Sequence, residues 1–151
     1  MPTLLVVDDE PAILHAFRRV FREPEVTLLT SDSALGGIEV VQRQSPDVII
    51  LDVHLPDLSG LEALRRIRKL DSKVPVIVIT GHGTTETAIE ATKLGALDYL
   101  YKPLELAELR KLVNRAYFRL NLCDFRVLDF FADFPCKYVR MYYLIRALME
   151  T

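Results

Sequence analysis

Cysteine is scarce in this chain, with two in 151 residues. Cys123 and Cys136 sit in neither a CxxC nor a Cys/His pattern, which argues against a thiolate metal site. Free thiols fit a reducing, cytoplasmic compartment. No apolar run approaches the roughly 20 residues that a membrane span needs. The N-terminus lacks a basic segment and runs straight into "LLVVDDE", so no signal peptide is read there. Excess charge of one sign is also missing. The net charge is −2, which implies no chain-wide attraction to nucleic acid or anionic membrane. No repeat or low-complexity tract occurs. What the chain does have is apolar residues, 50% of the total, enough for a sizeable core in one domain with an appendage.

Short β-branched runs alternate with amphipathic stretches. "TLLVV" (3–7), "VTLLT" (26–30), "DVIIL" (47–51), "VPVIVIT" (74–80) and "LDYLY" (97–101) predict strands. Residues 4–7, 48–51 and 76–79 are apolar throughout, as expected where helices cover both faces of a parallel sheet. Between the runs, Ala12, Leu14, Phe17, Val20 and Phe21 recur at helical spacing. So do Ala34, Leu35, Ile38 and Val41, and Leu61, Leu64, Ile67 and Leu70. "TTETAIEATKLGA" opens with Thr/Glu capping chemistry and closes at Gly95. A fifth helix, about 104–119, follows Pro103. Strictly alternating strands and helices predict an α/β fold with a doubly wound five-stranded parallel sheet.

In such folds ligands sit beyond the carboxyl ends of the strands. That rule selects Asp8 and Asp9 after strand 1, Asp52 after strand 3, Thr80 after strand 4 and Lys102 after strand 5. Taken singly, each has a plain structural reading. An Asp after a strand usually caps a helix, a Thr ending a strand reflects β-propensity, and a Lys before Pro is usually solvated. Together they make a site. Clustered carboxylates need a cation, and oxygen-only ligands favour Mg²⁺. Asp52 follows "VIIL", so its backbone is anchored while its carboxylate is free to act as a nucleophile toward phosphorus. Lys102 can pair with Asp52 and then with a phosphoryl oxygen, and the Thr80 hydroxyl can donate to the same group. The run Arg65, Arg66, Arg68, Lys69 reads as a solvated helix face. Leu106, Leu109 and Val113 read as core or as a dimer face.

The motifs "VVDDEP", "DVIILDVHLPDLSGLE", "PVIVITGHG" and "DYLYKP" resemble the receiver domain of two-component response regulators over about residues 2–119. The resemblance implies a flavodoxin-like (CheY-like) sheet with strand order 2-1-3-4-5, and a receiver domain over 1–119. It implies that Asp52 is the phosphoacceptor, Asp9 the direct Mg²⁺ ligand and Asp8 its water-bridged partner, with His54 offering a backbone carbonyl to the metal. Thr80 matches the switch hydroxyl, Lys102 the family's lysine and Tyr99 its rotating aromatic. A cis Lys102–Pro103 bond is implied too. The partners implied are a sensor histidine kinase and a homodimer through the helix 4–strand 5–helix 5 surface, with neither direct nucleic-acid binding nor membrane binding.

"GHGTTETAIEATKLGALDYLYKPL" is most similar to the NtrC subfamily, which activates σ54 promoters. No GxxxxGK[ST] loop follows, so the likeness carries no ATPase or DNA-binding output to this chain. Residues 120–151 hold no Gly and seven of the Phe and Tyr residues. They read as a tail with one helix, faced by Tyr138, Tyr142, Ile145 and Met149. The tail is a truncated or frameshifted remnant, a vector-derived extension or a short partner helix. Two other readings of the whole are a haloacid-dehalogenase-like phosphatase and a phosphorylation-independent interaction module. The first wants DxDx[TV], where "DVHLP" has His54 in place of the second Asp. The intact acids, Thr80 and Lys102 argue against the second.

Overall fold

The three runs that are apolar throughout become the three central strands of one parallel sheet. In the computed structural model, which describes residues 2–22 and 26–123, the order is β1 (Thr3–Val7), α1 (Pro11–Val20), β2 (Thr27–Ser31), α2 (Ala34–Gln44), β3 (Val48–Asp52), α3 (Gly60–Leu70), β4 (Val76–Thr80), α4 (Thr85–Lys93), β5 (Asp98–Tyr101) and α5 (Leu106–Cys123). The strands pair in the order β2-β1-β3-β4-β5, all parallel. This is the flavodoxin-like, CheY-like arrangement that the sequence implies.

Alternate residues of each strand face opposite layers. Leu5, Val7, Ile49 and Leu51 pack with Val41, Leu64 and Ala91 of α2, α3 and α4. Leu4, Val6, Ile50 and Ile77 pack with Phe17 of α1 and with Leu109 and Val113 of α5. Each such fully buried side chain contributes roughly 1.5–3 kcal/mol of transfer free energy. Leu109 and Val113 are 1% and 0% exposed, so they belong to the core and not to a dimer face.

The helix starts follow from local chemistry. Ser33 and Ser59 accept hydrogen bonds from the Gly36 and Glu62 N–H groups and cap α2 and α3. The capping box of α4 pairs Thr84 with Thr87, because Glu86 falls one position too early to close it. Gly60 opens α3 directly beneath the site. A β-carbon there would collide with the Asp52 carbonyl and with Val53 Cα, so only glycine lets α3 start that close to β3.

Arg68 departs from the solvated face expected of its run. Its guanidinium donates to the carbonyls of Leu94 (2.9 Å), Val74 (2.5 Å) and Gly95 (2.9 Å). It thereby ties the end of α3 to the end of α4. The chain divides into two compact units, Met1–Leu120 and Asn121–Thr151. The helix expected around Tyr138–Met149 lies outside the described residues.

Candidate functional site

Three strands deliver their last residues to one edge of the sheet. Asp52 ends β3, Thr80 ends β4, and Asp8 follows β1. All three are buried, at 2%, 0% and 0% exposure. The register explains the convergence, since Val7 lies beside Leu51, and Asp52 beside Ile79. The backbone holds the strand ends together: Val53 N–H donates to Ile79 O, and Lys102 N–H donates to Thr80 O. The Lys102–Pro103 peptide is cis.

The Lys102 ammonium, 11% exposed, sits among three carboxylates. It lies 2.6 Å from Glu10 Oε1, 2.9 Å from Asp8 Oδ2 and 3.0 Å from Asp52 Oδ2. Burial alone would lower its pKa, but its contacts with the Glu10, Asp8 and Asp52 carboxylates outweigh it and push the value up. Asp8 moves the other way from the usual paired carboxylate. Its burial raises its pKa, against the lowering pull of the Glu10 backbone N–H and of Lys102. Although Asp8 Oδ2 is within ion-pair distance of Lys102, it has no hydrogen bond of good geometry. The contact is one of charge attraction between ammonium and carboxylate.

Asp8, Glu10 and Asp52 each bring one oxygen to within 4.8 Å of the others. Three carboxylates against one ammonium leave two negative charges uncompensated, the charge of one divalent cation. An all-oxygen donor set with a buried oxygen lacking a hydrogen bond fits a hard ion such as Mg²⁺.

Not every residue selected from the sequence joins this group. Asp9 is exposed and lies outside the carboxylate cluster. Asp8 Oδ1 accepts the Glu10 N–H at 2.9 Å, a local turn that directs the Glu10 side chain, not that of Asp9, toward Lys102. Glu10 is the residue that the sequence reading missed. Pro11 at the start of α1 was the available signal, because Glu10 is then the N-cap and its side chain makes no cap bond. His54 donates its backbone N–H to Asp52 Oδ1 at 3.2 Å, and its ring reaches His82 O at 3.2 Å. Thr80 Oγ1 accepts the His82 N–H at 3.2 Å. Tyr99 is half-buried, its hydroxyl 2.8 Å from Thr87 Oγ1 and its ring edge-on to Tyr101.

Residues 4–114 match the family described as "Response regulator receiver domain". The chain belongs to that family. As a receiver of two-component systems it is a member of a signalling family, and the phosphatase reading falls away. It is 33% identical over 111 residues to the regulatory protein LuxO of Vibrio cholerae, covering 74% of this chain and 24% of that protein. It is 30% identical over 112 residues to sporulation initiation phosphotransferase F of Bacillus subtilis, covering 74% and 90%. This receiver therefore spans about a quarter of the length of some regulatory relatives and nearly all of a shorter one. The crystal structure of a response regulator receiver domain protein from Clostridium thermocellum superposes with a TM-score of 0.76 at 36% identity, covering 82% of this chain and 99% of that one. The receiver domain of NtrX from Brucella abortus superposes at 0.70 with 32% identity, covering 76% and 98%.

Proposed function

We propose that this receiver accepts a phosphoryl group on Asp52 from the phosphohistidine of a sensor histidine kinase. The observation that carries the reading is the buried Asp52 carboxylate, held by the Lys102 ammonium beside a second buried acid whose Oδ2 lacks a hydrogen bond. In the transfer, an O–P bond to Asp52 forms as the N–P bond breaks, and the bonding pair stays with the departing imidazole. The protein supplies position and charge. Asp8, Asp52 and either Asp9 or Glu10 would hold Mg²⁺, with the His54 carbonyl as a further ligand. The bound ion offsets charge on the phosphoryl oxygens. Lys102 pairs with one of those oxygens, and the Thr80 hydroxyl donates to another. The same site hydrolyses its acyl phosphate slowly.

The added charge draws Thr80 inward, Tyr99 turns into the space it leaves, and the α4–β5–α5 surface changes. Ile89 and Tyr101, 50% and 55% exposed, lie on α4 and β5, where we place a homodimer contact. The output we favour is transcription regulation of the NtrC type, in the cytoplasm. Among the described residues no helix is long and apolar enough to cross a membrane.

Incubation with acetyl phosphate and Mg²⁺, followed by intact mass, tests the assignment. One added phosphoryl group is expected on the wild type and none on Asp52→Asn. An unmodified wild type, or a modified variant, overturns it.

A further inference from the structure

The hydroxyl of Thr87 has more partners than its place in a helix cap requires. A threonine hydroxyl has one proton and two lone pairs. Thr87 Oγ1 donates to Thr84 O at 2.9 Å and accepts the Thr84 N–H at 3.0 Å. Its remaining lone pair faces the Tyr99 hydroxyl at 2.8 Å. With the Thr87 proton committed to Thr84 O, the Tyr99 O–H must be the donor. Thr84 Oγ1 stands 3.3 Å away as a longer fourth neighbour. One oxygen thus both completes the capping box of α4 and fixes the outer end of an aromatic on β5.

Gly83 adds an independent steric observation. A β-carbon there would lie 2.5 Å from the Tyr99 hydroxyl, 2.7 Å from Thr80 Cγ2 and 2.8 Å from Tyr101 Cε1. Three side chains meet over a residue that has none, just before the Thr84 cap. We infer that Thr87 is a positioning residue that couples the orientation of Tyr99 to the first turn of α4. When Tyr99 turns inward it withdraws its hydrogen bond from Thr87, and the cap of α4 loosens. The far end of α4 stays anchored, since Arg68 holds the Leu94 and Gly95 carbonyls. The helix then moves about its C-terminal end. This use of the coupling rests on the switch proposed above, but the coupling itself exists in the resting protein.

Amide hydrogen exchange on the full chain separates the two. Tyr99→Phe keeps the ring and removes only the phenol O–H. It should speed exchange of the Thr84, Thr87 and Ala88 amides by roughly three- to tenfold, the worth of one hydrogen bond. Thr87→Val should do at least as much, and Thr87→Ser should restore slow exchange. In the Thr87→Val background, Tyr99→Phe should add nothing. Gly83→Ala leaves every hydroxyl in place but should give the same fast exchange by displacing the phenol. Wild-type rates in Tyr99→Phe, or independent and multiplying effects in the double variant, overturn the coupling. Once intact mass shows phosphorylation, the wild type should exchange like Tyr99→Phe. Slow exchange in phosphorylated protein overturns the role in signalling. If Asp52 takes no phosphoryl group, the Asp52 assignment fails, while the resting variants still decide the coupling.

Discussion

Asp8 shows how a single residue can serve a site at the expense of the fold. Its carboxyl binds a proton more tightly folded than unfolded, because burial raises its pKa above the ordinary 3.8. Protonation therefore favours the fold, and stability falls as pH rises from 3.8 through the folded-state value. Lys102 has the same sign in a different pH window, and there the favoured protonated form is the charged one. Its raised value stabilises the fold at all pH below its ordinary 10.5, and that contribution is lost only as pH climbs through the folded value. At neutral pH Asp8 is thus a cost that Lys102 offsets in part and a divalent cation would offset further. We expect Asp8→Asn, which keeps an acceptor for the Glu10 N–H, to raise Tm at pH 7 by about 3–6 °C in the absence of metal. The same variant should lose the stabilisation expected of Mg²⁺ in the wild type, about 2.7 kcal/mol at a hundred times Kd. Differential scanning calorimetry at pH 5 and pH 7, with and without Mg²⁺, reads both effects. A less stable variant, or an undiminished Mg²⁺ response, contradicts the account.

Between elements, the loop from β3 to α3 reaches across to the start of α2. Asp57 accepts the Ala34 and Leu35 N–H groups, both at 2.9 Å, on its two oxygens. The Leu35 and then the Ala34 backbone bonds hold its carboxyl below the usual range. A depressed folded-state value gives stability that is present above 3.8 and lost as pH falls through the folded value. Asp57→Ala should therefore lower Tm at pH 7, and its gap from the wild type should close as pH drops below 3.8. A gap that persists in acid assigns the loss to packing instead. This cap was not legible in the sequence, because its partners lie 22 and 23 residues away and nothing in "LPDLSG" names them. The same holds for Arg68, whose carbonyl partners come from other elements. The elements themselves were legible. Strand segments covered on both faces are apolar, and residues 4–7, 48–51 and 76–79 within β1, β3 and β4 are apolar throughout. Asp8, Asp52, Thr80 and Lys102 were legible because the fold fixes where strand ends meet. Glu10 was only hinted at, through Pro11, because the turn at Asp8 decides which neighbouring carboxylate faces inward.

For the whole molecule, the decisive feature is where the core closes. Among the described side chains, Leu109, Leu112, Val113 and Ala116 of α5 pack in one layer with Leu4, Val6, Ile50 and Ile77 of β1, β3 and β4. The site draws on Asp8 through Lys102 alone. Its supports, Gly60 beneath Asp52 and Arg68 behind α4, also precede α5. We therefore propose that the receiver domain ends near 119 and that residues beyond it are dispensable for folding and for phosphorylation. Removing residues 121–151 should leave Tm within about 2 °C of the full chain and leave modification by acetyl phosphate at one group per molecule. The expectation rests on burial. A fully buried side chain is worth roughly 1.5–3 kcal/mol, so if the tail covered even two or three core residues, its loss would cost several kcal/mol and many degrees. A shortened chain that unfolds well below the full-length protein would place part of the core beyond 120 and move the boundary with it.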